Sequence, residues 1–296
     1  MSHWTEADIP DQTGRTVLVT GANSGLGLRT AQVLAAKGAH VIMACRSAER
    51  GEAARLKVGG SAEVLQLDLA DLSSVRTAAE KVGTLDLLIN NAGIMAVPYG
   101  KTVDGFERQF GTNHLGHAAL TWLLLPALRQ RPGARVVTVS SLAHQYGHID
   151  FDDPNWEHRS YSYRGSYGQS KLANILFARE LERRCPEVTS IAAHPGVTAT
   201  ELTNNMADAH NSLFLRIGGR ISHLFSQSVE MGALPQLYAA TSPDARGGQY
   251  YGPDRFNGYR GHPAEARMTS EARDDLAANR LWELTIKLTG ITPDLP

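Results

Sequence analysis

Residues 15–45 constrain the fold of this chain more than any other stretch. Arg15-Thr-Val-Leu-Val-Thr20 is a short β-branched run that stops at a glycine, as a fully buried strand does. Gly21-Ala-Asn23-Ser24-Gly25-Leu26-Gly27 follows at once. Leu28 to Lys37 reads as a helix with Gly38 as its C-cap, and His40-Val-Ile-Met-Ala44 as a second strand. A strand, a glycine turn, a helix and a strand within about thirty residues make the mononucleotide-binding half of a doubly wound sheet. In that turn Gly21 lets the chain reverse sharply, Gly25 lets backbone approach a pyrophosphate, and Gly27 lets helix and strand pack closely. Asn23, Ser24 and Leu26 complete it, and the helix N-terminus offers free N–H groups to phosphate oxygens. The spacing is G-x-x-x-G-x-G, so a flavin, a nicotinamide and S-adenosylmethionine all stay open on this motif alone.

The end of the second strand selects among dinucleotides. A carboxylate there would hold the ribose 2′-OH of NAD(H). Here the sequence is Ala44-Cys45-Arg46, and a guanidinium suits a 2′-phosphate, which favours NADP(H). An arginine at the start of a solvated helix is the plainer reading of the same residue. The pattern then repeats. Ala48 to Val58 reads as a helix and Glu63-Val-Leu-Gln-Leu67 as a strand. Asp68 and the backbone of Leu69 stand where an adenine amino group would lie, unless Asp68 merely caps the next helix, a task Asp71 fills better. Leu85 to Ile89 is a fourth strand, ending in Asn90-Asn91-Ala92-Gly93. Those amides and that glycine suit strand-to-strand ties and a close pass under a cofactor, or an ordinary turn.

Phe106 to Arg129 reads as one long helix containing Asn113, and a functional role for Asn113 requires a local distortion of that helix. His114 and His117, without nearby carboxylates or cysteines, are not expected to bind metal. Arg135 to Val139 is a fifth strand delivering Ser140 and Ser141; residues 142–165 read as an irregular loop, and Ser166 as the N-cap of a helix running to Arg184. Tyr167 and Lys171 then share one helical face, where a cation beside a phenol lowers its pKa from about 10 and fits it for acid/base work. Taken alone, this spacing is more often a surface pair. Val188 to Ala193 is a sixth strand ending at His194-Pro195-Gly196-Val197-Thr198. Periodicity fades over 199–228, apart from an apolar stretch at Ser212 to Phe225. Glu230 to Ala240 is a helix, Gly248 to Tyr251 a seventh strand, and Thr269 to Thr289 a terminal helix. The loop with Arg255, His262 and Pro263 has no assignment.

The formal charge of −1 gives no electrostatic case for nucleic acid or an anionic membrane. Two cysteines, Cys45 and Cys185, make neither a disulfide framework nor a metal cluster, and a cytoplasmic setting is the default. No run approaches the roughly 20 apolar residues of a membrane span. Met1 to Thr13 lacks the basic and apolar regions of a signal peptide.

In order, Thr20 to Gly27, Asn90-Asn91-Ala92-Gly93, Asn113, Ser141, Tyr167-x-x-x-Lys171 and Pro195-Gly196 resemble the short-chain dehydrogenases/reductases over about Arg15 to Tyr251. The gap from Ser141 to Tyr167 and the phrase Tyr167-Gly-Gln-Ser-Lys-Leu-Ala-Asn174 resemble the branch with retinol dehydrogenases, WW-domain oxidoreductase and protochlorophyllide reductase. The resemblance implies a single α/β domain over 1–296. Its fold would be a Rossmann-type, doubly wound, seven-stranded, mostly parallel sheet with helices on both faces. Substrate loops would lie near 142–165 and 199–228, where Trp156, Tyr161, Tyr163 and Phe214 suggest an apolar ligand. The activity implied is hydride exchange between NADP(H), or NAD(H), and a small carbonyl or alcohol. Tyr167 would be the acid/base, Ser141 the donor to the substrate oxygen, and Lys171 the partner of Tyr167 and the nicotinamide ribose. Asn113 would hold a water that links Lys171 to solvent, and Pro195, Gly196 and Thr198 would contact the nicotinamide end. The helices bearing Asn113 and Tyr167 would pair across a two-fold in a homodimer or homotetramer. Competing readings are a non-catalytic nucleotide sensor, which would ordinarily lose Tyr or Lys, a methyltransferase, which leaves that pair idle, and a light-dependent pigment double-bond reductase.

Overall fold

A computed structural model describes residues 3–198 and 226–295. The described residues contain one eight-stranded sheet of order β3-β2-β1-β4-β5-β6-β7-β8. The strands are β1 (Thr16–Thr20), β2 (His40–Cys45), β3 (Ser61–Gln66), β4 (Leu87–Asn90), β5 (Arg135–Val139), β6 (Thr189–Ala193), β7 (Tyr250–Arg255) and β8 (Arg260–Glu265). All pairings are parallel except β7 with β8. The α/β class is as the sequence indicates, but the strand count is eight, not seven. The additional strand is the unassigned loop. It carries Pro263 and shows no apolar alternation, both features of an edge strand.

Side chains alternate across the sheet. Val17, Val19, Leu87, Ile89 and Val137 join one core with α1 (Gly25–Ala36), while Leu18, Leu88 and Val136 join the other with α3 (Leu72–Ala79). Each such buried aliphatic side chain contributes roughly 1.5–3 kcal/mol against exposure. Between them run α2 (Ala48–Arg55), the single turn α4 (Arg108–Phe110), α5 (Gly116–Arg129), α6 (Tyr163–Arg184), α7 (Val229–Thr241) and α8 (Asp275–Thr289). Asp71, not Asp68, caps α3, its carboxylate accepting from Ser73 N and Ser74 N.

Three helices depart most from the sequence reading. Phe106 to Arg129 is not one helix: a π-helical turn, Gly111–Leu115, separates α4 from α5 and carries Asn113. Ser162 caps α6 four residues earlier than expected, accepting from Gly165 N; Ser166 is a buried residue inside the helix. The terminal helix begins at Asp275, capped by Asp274, after a short 3-10 turn at Glu271–Arg273. α8 lies against α6, with Trp282 stacked on Phe177 at 5.7 Å and edge-on to Trp122 of α5 at 4.9 Å. Part of the surface those two helices would offer a second copy is therefore taken within the chain. The expected apolar stretch at 212–225, Phe214 and most of the 199–228 loop lie outside the described residues.

Candidate active site

The site is assembled at the carboxyl ends of β1, β4, β5 and β6, where parallel α/β sheets present their ligands. Gly21 leaves β1 at φ +66 and Gly25 opens α1 at φ +52, a backbone region glycine enters without strain. Gly27 packs tightly: a Cβ there would fall 2.4 Å from the Gly21 carbonyl oxygen and 2.6 Å from Asn91 Nδ2. Ser24 makes no side-chain cap on α1, so the helix N-terminus keeps its donors for an anion. Asn91 fastens β4 to β1, donating from Nδ2 to the Thr20 carbonyl at 2.8 Å and from its N–H to Thr20 Oγ1 at 2.9 Å. Asn90 ties β4 to α5 through Thr121 Oγ1 at 2.9 Å. These features fit a dinucleotide, whose pyrophosphate would lie against residues 21–27.

Arg46 follows the last residue of β2 and is exposed, with no carboxylate beside it in sequence. Arg50, on the first turn of α2, places its charge close enough to depress the neighbouring Cys45 thiol slightly, although burial pushes that thiol up to about 11 overall. Asp68 has one carboxylate oxygen on Ala70 N at 2.9 Å, and the neighbouring Leu69 is buried. Beyond β6, Gly196 turns at φ +66, Val197 N–H donates to the Tyr259 carbonyl, and Thr198 Oγ1 donates to the Pro195 carbonyl at 2.9 Å.

The acid/base candidates converge. Tyr167 and Lys171 lie on the buried face of α6, 7% and 3% exposed. Ser141, just past β5, accepts from Ala143 N at 3.2 Å and stands near enough to Tyr167 to lower its pKa, while Ser140 is deeper and donates to the Lys171 carbonyl at 2.7 Å. Lys171 Nζ donates to the Val139 carbonyl at 3.1 Å and stands 5.6 Å from the Tyr167 ring centre. Gly93 passes beside both Asn113 and Lys171: a Cβ on it would be 3.3 Å from Asn113 Oδ1 and 3.5 Å from Lys171 Nζ. The Asn113 side chain is fully engaged, accepting from Ile94 N and donating to Ile94 O and Ser170 Oγ.

One expectation is reversed. Lys171 does not acidify the phenol here; burial dominates and pushes Tyr167 up to about 12, against the lowering effect of Ser141. The same burial brings Lys171 down to about 8. The lysine spends a donor on the Val139 carbonyl, and its nitrogen stands 5.6 Å from the centre of the phenol ring.

A cleft of about 350 Å³ opens onto Tyr167, lined also by Met95, Ala96, Tyr146, Tyr163 and Arg164. Of the described aromatics expected there, Trp156, Tyr161 and Tyr163, only Tyr163 lines it. Trp156 is stacked under Arg159 at 3.7 Å, and Tyr161 OH shares its one proton between Val97 O and Glu107 Oε1, each at 3.1 Å, so both anchor the loop. Met95 and Tyr146 escape sequence reasoning because neither belongs to a motif; their proximity to Tyr167 depends on how two loops fold back. His114 hydrogen-bonds Thr285 Oγ1 at 3.0 Å, and His117 contacts Thr20 Oγ1 and the Asn113 carbonyl.

Residues 15–211 match the family model described as short chain dehydrogenase. Human retinol dehydrogenase 13 is 42% identical over 97% of this chain and 87% of its own length, and human retinol dehydrogenase 14 is 41% identical over 94% and 87%. The crystal structure of an uncharacterized protein from Mycobacterium Paratuberculosis superposes over 100% of both chains with a TM-score of 0.84 at 47% identity. Pseudomonas aeruginosa RhlG in its NADP active-site complex covers 80% of this chain and 94% of its own, at TM-score 0.61 and 26% identity.

Proposed function

Since the chain belongs to the short-chain dehydrogenase family, and is thereby an NAD(P)-dependent oxidoreductase acting on alcohol or carbonyl groups, we propose that it reduces apolar carbonyl compounds with NADPH, Tyr167 serving as the acid. The observation that carries this reading is the buried phenol lining the cleft, with Ser141 beside it and Lys171 adjoining its ring. A tyrosine held at about 12 is protonated throughout the physiological range, as the acid of a reduction must be. The bound nicotinamide supplies the hydride. Ser141 and Tyr167 hydroxyls hold the substrate oxygen from two sides, and Tyr167 passes its proton to that oxygen as charge develops. Lys171, cationic below about 8, steadies the resulting phenolate and returns a proton through the Asn113 side of the site.

NADP(H) is preferred on account of Arg46, with Arg50 within the next helical turn. Met95, Tyr146 and Tyr163 favour an apolar substrate, and the retinol dehydrogenase names of the relatives put retinal and retinol at the head of the panel. A cytoplasmic setting accords with two buried cysteines carrying free thiols. The test is NADPH oxidation, followed by absorbance, across aldehydes and ketones of increasing apolar bulk. Tyr167→Phe is expected to lower kcat by at least about 100-fold while leaving NADPH affinity within about twofold. Full turnover in that variant would remove the phenol from the reaction.

A further inference from the structure

His117 begins the turn after Asn113, and it is held at both ring nitrogens. Its Nε2 lies 2.9 Å from Thr20 Oγ1 and its Nδ1 lies 3.0 Å from the Asn113 carbonyl oxygen. The Thr20 hydroxyl fixes which nitrogen carries the proton. That oxygen accepts from Asn91 N–H and Ala92 N–H, both at 2.9 Å, which uses its acceptor capacity. Its single proton then points to Nε2 at 2.9 Å in preference to the Ile89 carbonyl at 3.4 Å. Nε2 is therefore the bare nitrogen, and Nδ1–H donates to Asn113. Burial, with the Lys171 charge nearby, keeps the ring neutral by lowering its pKa to about 4. The Asn113 side-chain amide is spent on Ile94 and Ser170, and the imidazole meets the main-chain carbonyl where the π turn passes into α5.

We propose that His117 is a positioning residue: Thr20 Oγ1 fixes its tautomer, and its Nδ1–H in turn holds the Asn113 carbonyl, so that the acid/base end of the site keeps its geometry. This rests on the hydride-transfer reading above. Two half-replacements separate the two bonds. His117→Asn keeps an amide donor near the Nδ1 position and loses the reach to Thr20. His117→Gln reaches Thr20 and loses the donor to Asn113. With NADPH and the best substrate of the panel, His117→Asn is expected to keep kcat within about threefold, and His117→Gln to lose about tenfold or more. In the Gln variant the apparent pKa of the kcat profile also moves, and KM for NADPH changes less than kcat. Equal kcat values and pH profiles for the two variants, or the reverse order, would overturn the proposal. A second readout is independent of turnover. The ¹⁵N resonances of the His117 ring are expected to report Nδ1–H and bare Nε2 unchanged from about pH 5.5 to 8.5. The opposite tautomer, or titration in that interval, overturns the assignment. Wild-type protein inactive on every carbonyl, with the ¹⁵N pattern intact, would instead sink only the reading of the reaction.

Discussion

Replacing Gly27 by alanine tests the link between packing and cofactor binding in one step. The new methyl would sit 2.4 Å from the Gly21 carbonyl oxygen and 2.6 Å from Asn91 Nδ2. Reaching ordinary van der Waals separation requires roughly 1 Å of movement. The oxygen is backbone in the tightest part of the turn and has little room to yield. Asn91 could swing aside, but only by giving up its 2.8 Å bond to the Thr20 carbonyl. Overpacking of this kind costs about 1–3 kcal/mol, the broken hydrogen bond about 1 more, and alanine in place of helical glycine returns about 1. The net loss expected is about 1–3 kcal/mol, measured as a lowered urea midpoint at constant slope. NADPH affinity, by titration of protein fluorescence, should fall at least about tenfold, because α1 and the turn can no longer close on a pyrophosphate together. Gly83→Ala is the control: nothing lies within 4 Å of its Cβ position, and stability should hold within about 0.5 kcal/mol. Wild-type stability and wild-type NADPH affinity in Gly27→Ala would refute the packing argument.

Arg46→Asp should move cofactor preference towards NADH by roughly 10–100-fold in kcat/KM, the worth of a charge-assisted contact to a 2′-phosphate; an unchanged NADPH/NADH ratio makes Arg46 a bystander. Lys171 has a pH signature in stability. Its folded pKa, about 8, lies below the ordinary lysine value of 10.5, so between these the unfolded chain binds more protons. Its contribution to stability therefore grows as pH rises from about 8 towards 10.5 and is lost as pH falls back through 8. The urea midpoint difference between wild type and Lys171→Met should change over that interval and stay flat below it. Trp282→Ala should cost about 3–5 kcal/mol and Trp282→Phe under about 1.5, again by urea unfolding, since the indole contributes packing at Phe177 and Trp122.

The parts of this molecule that were legible in the sequence are those whose physics is local. Gly21 to Gly27 lies between two β-branched runs, and Tyr167 and Lys171 are one helical turn apart, so both features are written in a few consecutive residues. Asn113 was legible only conditionally: the residue shows in the sequence, but the π turn that carries it, and the bonds of its side chain to Ile94 and Ser170, do not. β8 was illegible because an edge strand needs no apolar pattern, and Pro263 argued against a strand at all. The direction of the Tyr167 shift failed for another reason. Spacing reveals that a cation is near, but not that the whole pair is buried, and desolvation sets the direction for both groups. In the sequence His117 shows only as a histidine without carboxylates or cysteines nearby, and its contact with Thr20, far away along the chain, has no local signal.

The packing of α8 bears on how the protein comes into being. Phe177 leaves the ribosome long before Trp282, so for much of synthesis an aromatic flank of the nearly finished sheet faces solvent without its cover. Nascent chains stalled before residue 275 should be the species that chaperones hold and that clump when chaperones are scarce.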